Sequence, residues 1–86
     1  MVYHYIKRNS NTMKTRIKEL RARYNLTQQN LAELVEISRQ TIILIEKGRY
    51  NPTLRLAFKI SRVLKSSIEN IFLLDEDEEP RNETNP

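Results

Sequence analysis

Residues 28–47 read QQNLAELVEISRQTIILIEK, and the placement of apolar side chains in this stretch decides the fold. Leu31, Ala32 and Val35 share one face of a first helix, while Ile42 and Ile45 share one face of a second. Between them Glu36, Ile37 and Ser38 leave room only for a turn, and Ser38 is suited to accept from the orphan amides that open the next helix. Two short helices joined by about three residues cross steeply, so one position at the crossing must be small. Ala32 meets that requirement, and Leu31, Val35, Ile37, Ile42 and Ile45 can close a small core around it.

Working outward, Thr27 caps the first of these helices, and a helical pattern upstream begins at Met13 and carries Ile17, Leu20 and Tyr24 inward. Asn25 tolerates the left-handed conformation that ends that upstream helix, running from 13 to about 24. Downstream, Gly48, the only glycine, is placed to close the helix that begins at Arg39. Pro52 bars Asn51 from the helical region, and Thr53 then caps a fourth helix with Leu54, Ala57, Ile60, Val63 and Leu64 on its apolar side. Ser67 opens a fifth, bearing Ile68, Ile71 and Phe72. Nothing between 13 and 74 asks for a sheet. The expected fold is therefore all-α, a compact five-helix domain over residues 13–74 with helices packed at steep angles.

The flanks differ in character. In residues 1–12, Val2, Tyr3, Tyr5 and Ile6 have the alternation of a short strand, but Asn9, Ser10, Asn11 and Thr12 break it, so this is read as an arm, flexible or a short strand. Residues 75–86 form an acidic tail with nothing to bury, expected to be disordered. The arm's Tyr3, Tyr5, Lys7 and Arg8 could touch a polyanion or a second subunit. Ile68, Ile71, Phe72, Leu73 and Leu74 offer more apolar surface than one short helix buries within its own domain, which points to a homodimer through the C-terminal helix region.

A net charge of +4 conceals a strong asymmetry. Residues 1–68 hold fourteen of the fifteen Lys and Arg against four acids, or +10, whereas residues 69–86 hold one Arg against seven acids, or −6. A basic body of this size attracts a polyanion through counterion release, although solubility alone also accounts for such a charge. The absence of Cys excludes disulfides and thiolate metal sites, and no apolar run is long enough for a membrane span. A soluble, cytoplasmic protein is expected. His4 is the only histidine and has no partner for metal or base chemistry, and Asp75 to Glu79 lacks the spacing of a calcium loop. No nucleophile, base and oxyanion site can be assembled, so neither an enzyme nor a cofactor or metal is expected.

The chain resembles the repressor and Cro class of helix-turn-helix regulators, the Xre family. The resemblance rests on Arg16-Ile17-Lys18-Glu19-Leu20-Arg21, Leu26-Thr27-Gln28, Leu31-Ala32-Glu33, Ile37-Ser38-Arg39-Gln40-Thr41-Ile42, Ile45-Glu46-Lys47-Gly48 and Asn51-Pro52-Thr53, continuing through Ser67-Ile68-Glu69-Asn70-Ile71-Phe72. It implies a small transcriptional regulator, a repressor, bound as a homodimer to a near-palindromic operator in double-stranded DNA. By the same resemblance, Gln28 and the first-turn amides of its helix hold a phosphate. Ser38 would open the recognition helix, with Arg39, Gln40 and Thr41 reaching base edges. Arg49, Tyr50, Asn51 and Thr53 would grip further phosphates, and Arg21 with Glu46 would form a structural pair.

Two departures from the family pattern stand out. Glu36 occupies the turn position that most relatives give to glycine. In the run Ile42-Ile43-Leu44-Ile45, only Ile42 and Ile45 can face the core, so Ile43 and Leu44 are expected to project outward, with Leu34 a third apolar residue at a normally polar place. Leu44, with Ile43, could pack on thymine methyl groups, or Leu34, Ile43 and Leu44 could form a surface for a protein partner.

Overall fold

A computed structural model describes residues 13–73. The arm at 1–12 and the tail at 75–86 lie outside the described residues, as does Leu74. The elements run β1 (Lys14–Thr15), α1 (Ile17–Arg23), α2 (Gln28–Val35), α3 (Arg39–Glu46), α4 (Leu54–Leu64), α5 (Ile68–Ile71) and β2 (Phe72–Leu73).

Polar side chains set the helix starts as their sequence positions imply. The hydroxyls of Thr27, Ser38, Thr53 and Ser67 accept from the amides of Asn30, Thr41, Leu56 and Asn70. Each such cap is worth about 1 kcal/mol. At Thr27 the Asn30 side chain returns the bond, accepting from the Thr27 amide at 3.0 Å. The helix ends use left-handed residues: Asn25 at φ 58°, Glu36 at φ 64° and Gly48 at φ 74°. Lys65 at φ 53° does the same beyond α4, where no glycine or asparagine marks the position.

Apolar burial contributes more than the caps. Ile17, Leu31, Ala32, Ile42, Ile60, Leu64 and Ile71 are fully buried, with Leu20, Val35 and Ile45 nearly so. Each large side chain among them stabilises by about 1.5–3 kcal/mol. Ala32 lies in this core as the crossing of α2 and α3 requires, and Ile37 packs against it from the turn. No helix among the described residues is long and apolar enough to cross a membrane.

The structure corrects the reading of the domain's two ends. The segment after Met13 is not helical: Lys14 and Thr15 pair antiparallel with Leu73 and Phe72, and α1 starts only at Ile17. The Arg16 amide donates to the Ile71 carbonyl at 2.9 Å, and the Ile17 amide donates to the Thr15 hydroxyl, which draws the chain into an extended path before the helix. The strands are two residues each, too short to leave an alternating pattern in the sequence. They are a small addition to a helical domain.

Individual side chains depart from expectation as well. Tyr24 is exposed, its ring 5.8 Å from the Lys65 ammonium. Leu54 is 76% exposed, because the first turn of α4 extends past the core. Ser61 is buried with its hydroxyl donating to the Phe58 carbonyl at 2.9 Å, a bond that removes the cost of burying it. At the start of α1, the guanidinium of Arg16 hydrogen-bonds Glu19 and holds its carboxyl below the usual carboxylate range. That contribution is present above the ordinary range and is lost as pH falls through the lowered value.

Glu36 gains little from its contact with Lys59 at 3.3 Å, since the Glu36 side chain is 77% exposed. Its left-handed backbone costs about 1 kcal/mol relative to glycine. Glu36→Gly is therefore expected to raise the thermal midpoint by roughly 4–8 °C in a domain of this size. A lower midpoint would show that the Lys59 contact outweighs the strain.

Candidate nucleic-acid interface

The starts of α2 and α3 come together at the surface. At the start of α3, the Ser38 oxygen accepts from the Thr41 amide at 3.1 Å and lies 2.9 Å from the Thr41 hydroxyl. This leaves Arg39 and Gln40 exposed on the first turn, while Thr41 is half-buried with its hydroxyl already engaged. At the start of α2, the cap formed by Thr27 and Asn30 leaves the amides of Gln28 and Gln29 without intrahelical acceptors. An open cleft of about 420 Å³ lies there, and Thr27, Gln28, Gln29 and Arg39 are among its lining residues. Two helix N-termini and a guanidinium thus bias one surface toward an anion.

Residues 49–53 extend this surface. The Arg49 amide donates to the Leu44 carbonyl at 2.9 Å, which anchors the loop to the end of α3. Arg49, Tyr50, Asn51 and Thr53 are exposed. Among the described residues, neither Arg39 nor Arg49 has a carboxylate partner.

Beneath the surface, polar side chains tie three helices together. Arg21 on α1 donates from Nε to Glu46 Oε2 at 2.7 Å, and both side chains are close to buried, at 13% and 11% exposure. Arg21 Nη1 also donates to the Leu26 carbonyl at 2.9 Å. Gln28 Nε2 donates to Glu46 Oε1 at 3.0 Å, and Arg39 Nη2 donates to Gln28 Oε1 at 3.3 Å. The link from Arg21 to Glu46 was implied by the family resemblance, but the link onward through Gln28 was not. Its only trace is a glutamine at the helix start, equally suited to meeting a phosphate. Here its side-chain amide is committed on both sides.

The apolar middle of α3 is less prominent than expected. Ile43 and Leu44 do not project freely but are half-buried. Leu34, at 57% exposure, stands out clearly.

Two short capped helices crossing at an alanine, the second offering a polar first turn to solvent, define a helix-turn-helix. A family model described as helix-turn-helix matches residues 17–71. An HTH-type transcriptional regulator from Archaeoglobus fulgidus is 56% identical over 66 residues, covering 77% of this chain and 93% of that one. Another from Methanocaldococcus jannaschii is 53% identical over 66 residues, covering 77% of this chain and all of that one. Among solved structures, the restriction-modification controller protein C.AhdI from Aeromonas hydrophila is similar with a TM-score of 0.59 at 29% identity, over 64% of this chain and 83% of that one. The chain belongs to the repressor and Cro, or Xre, family of helix-turn-helix DNA-binding regulators.

Removing Arg21 would leave Glu46 as a nearly buried carboxylate with only Gln28 to satisfy it. Arg21→Ala is expected to destabilise the domain by about 3 kcal/mol in urea unfolding at neutral pH. A loss under about 1 kcal/mol would place the pair with ordinary surface ion pairs.

Proposed function

We propose that this protein is a sequence-specific double-stranded DNA-binding transcriptional repressor that acts as a homodimer on a near-palindromic operator, and not an enzyme. The observation that carries this reading is the exposed first turn of α3, with Arg39 and Gln40 exposed on the same surface as the α2 start and the Arg49 loop. Arg matches guanine O6 and N7, and Gln matches adenine N6 and N7. Ser38 holds the turn in place, and Thr41 and Leu44 lie behind it, where a methyl group can meet a thymine methyl. Gln28 sits at the α2 start, where the main-chain amides receive one phosphate. Arg49, Tyr50, Asn51 and Thr53 receive others, which position the protein without reading sequence. Occupying a promoter blocks access to it, which is the action proposed in the assignment as a repressor.

The homodimer is read through the C-terminal helix region together with the adjoining face of α4, since Ile68 lines a groove shared with Leu54 and Phe58. Ile71 and Phe72 are spent in the protomer's own core, and Leu73 pairs with Lys14. The Leu73 side chain stays exposed despite that pairing, as do Leu54 and Phe58 on α4, which with Arg55 and the half-buried Ile68 line an open apolar groove of about 580 Å³. A two-fold copy covering this groove would remove the largest exposed apolar side chains from water. A partner protein on Leu34, Ile43 and Leu44 is the weaker reading, since two of those three side chains are already half-buried.

Arg39→Ala is expected to weaken binding to the preferred duplex by about 1–3 kcal/mol and to relax preference at one base pair, as measured by titration of single-base duplex variants. Arg49→Ala should instead weaken all duplexes alike and reduce the salt slope by about one. Unchanged base preferences after Arg39→Ala would remove α3 as the reading element. Combining Leu54→Glu with Phe58→Glu should yield a monomer in sedimentation equilibrium, while a persisting dimer would place the interface elsewhere.

A further inference from the structure

The apolar groove on α4 is rimmed by cations. The exposed Arg55 is among its lining residues, and the exposed Arg62 guanidinium lies 5.8 Å from the centre of the Phe58 ring, which also lines it. Lys59, on the same helix, is paired with Glu36 at 3.3 Å. Arg55 and Arg62 have no carboxylate partner among the described residues, and Glu69, the residue after Ile68, pairs with neither. A two-fold copy laid over this groove doubles the rim, so the two guanidiniums of each copy gather around one closing apolar patch. Like charges brought together where water is excluded weaken an interface. Closing the groove therefore calls for a counter-charge as well as a second copy.

The sequence supplies one in Asp75, Glu76, Asp77, Glu78 and Glu79, which follow directly on β2 and Leu74. Ile68 lies in the groove, α5 carries the chain about 5 Å from there to Ile71, and two further residues add about 7 Å, so Leu73 stays within about 12 Å of it. The six residues from Leu74 to Glu79 span up to about 20 Å when extended, against about 10 Å along α4 from Arg55 to Arg62. The acidic run thus reaches both rim cations of its own chain. Residues 75–86 carry no large apolar side chain, so they match the rim and leave the groove floor to a second copy.

We infer that the acidic run 75–79 is the counter-charge of the dimer surface, lying along Arg55 and Arg62 of its own chain so that two copies can close their α4 faces. This rests on the reading that the homodimer forms at the α4 groove. It gives the opposed charges of the basic body and the acidic tail a common purpose. The surface of Arg39 and Arg49 is the competing place for the same run. The α4 rim is favoured because Ile68, five residues before Leu73, is already part of the groove.

The test uses the full chain carrying Asp75→Asn, Glu76→Gln, Asp77→Asn, Glu78→Gln and Glu79→Gln. Sedimentation equilibrium at about 0.05 M salt should show the dimer weakened about five- to hundredfold, as a few exposed ion pairs of ordinary strength imply. The difference should shrink at about 0.5 M salt, where such pairs are screened. On an Arg55→Gln and Arg62→Gln background, neutralising the run should change the dimer constant by less than about twofold. In NMR spectra, the amide signals displaced by the neutral run should lie along α4 around Arg55 and Arg62. The inference is overturned if the neutral run leaves the dimer constant unchanged or tightens it, if its effect persists undiminished without Arg55 and Arg62, or if the displaced amides lie on α3 instead. The dimer reading survives each of those results as long as Leu54→Glu with Phe58→Glu yields a monomer. A native chain that is monomeric at every concentration removes the dimer reading and the role of the run together.

Discussion

The close crossing of α2 and α3 at Ala32 is the constraint on which the remaining structure depends. Ala32 is fully buried, and its carbonyl accepts from the Ile37 amide at 3.0 Å as the chain turns. A larger side chain here would push the helices apart, open the core formed by Leu31, Val35, Ile42 and Ile45, and tilt α3 away from the surface it shares with α2. The left-handed backbone at Glu36 is the local cost of this crossing, in the range of 1 kcal/mol. The fully buried side chains around it contribute several times that, which is why the turn tolerates a residue other than glycine.

On this apolar frame rests a polar layer that sets how the surface is presented. Nonpolar packing fixes where α3 lies, but it does not fix the direction of an exposed arginine. The ion pair of Arg21 with Glu46, and the amide of Gln28 above it, carry order from the interior to Arg39. A nearly buried ion pair is a doubtful source of net stability, since desolvation offsets much of the attraction. Its value here lies in direction, because it gives the Gln28 amide a single orientation.

Sequence periodicity and capping made the five helices and the central core legible, because apolar spacing and the hydroxyls of Thr27, Ser38, Thr53 and Ser67 each act within a few residues. What escaped was set by distant contacts. The strand at Lys14–Thr15 exists only because Phe72–Leu73 arrives beside it from the far end of the chain. The exposure of Leu54 and the burial of Ile71 and Phe72 depend on where α4 and α5 meet the core, so the apolar surface left for a partner could not be placed from spacing alone. On the surface shared by the α2 and α3 starts, the residue types of Arg39, Gln40 and Arg49 were legible as chemistry. The commitment of Gln28 was not, because eighteen residues separate it from Glu46.

The central claim is that α3 reads DNA sequence, and selection of binding sites from a pool of random duplexes at about 0.15 M salt tests it most directly. Enrichment of a near-palindromic site with half-sites about 34 Å apart, one helical turn of DNA, is the expected result. Recovered duplexes that bind no more tightly than the starting pool would contradict it.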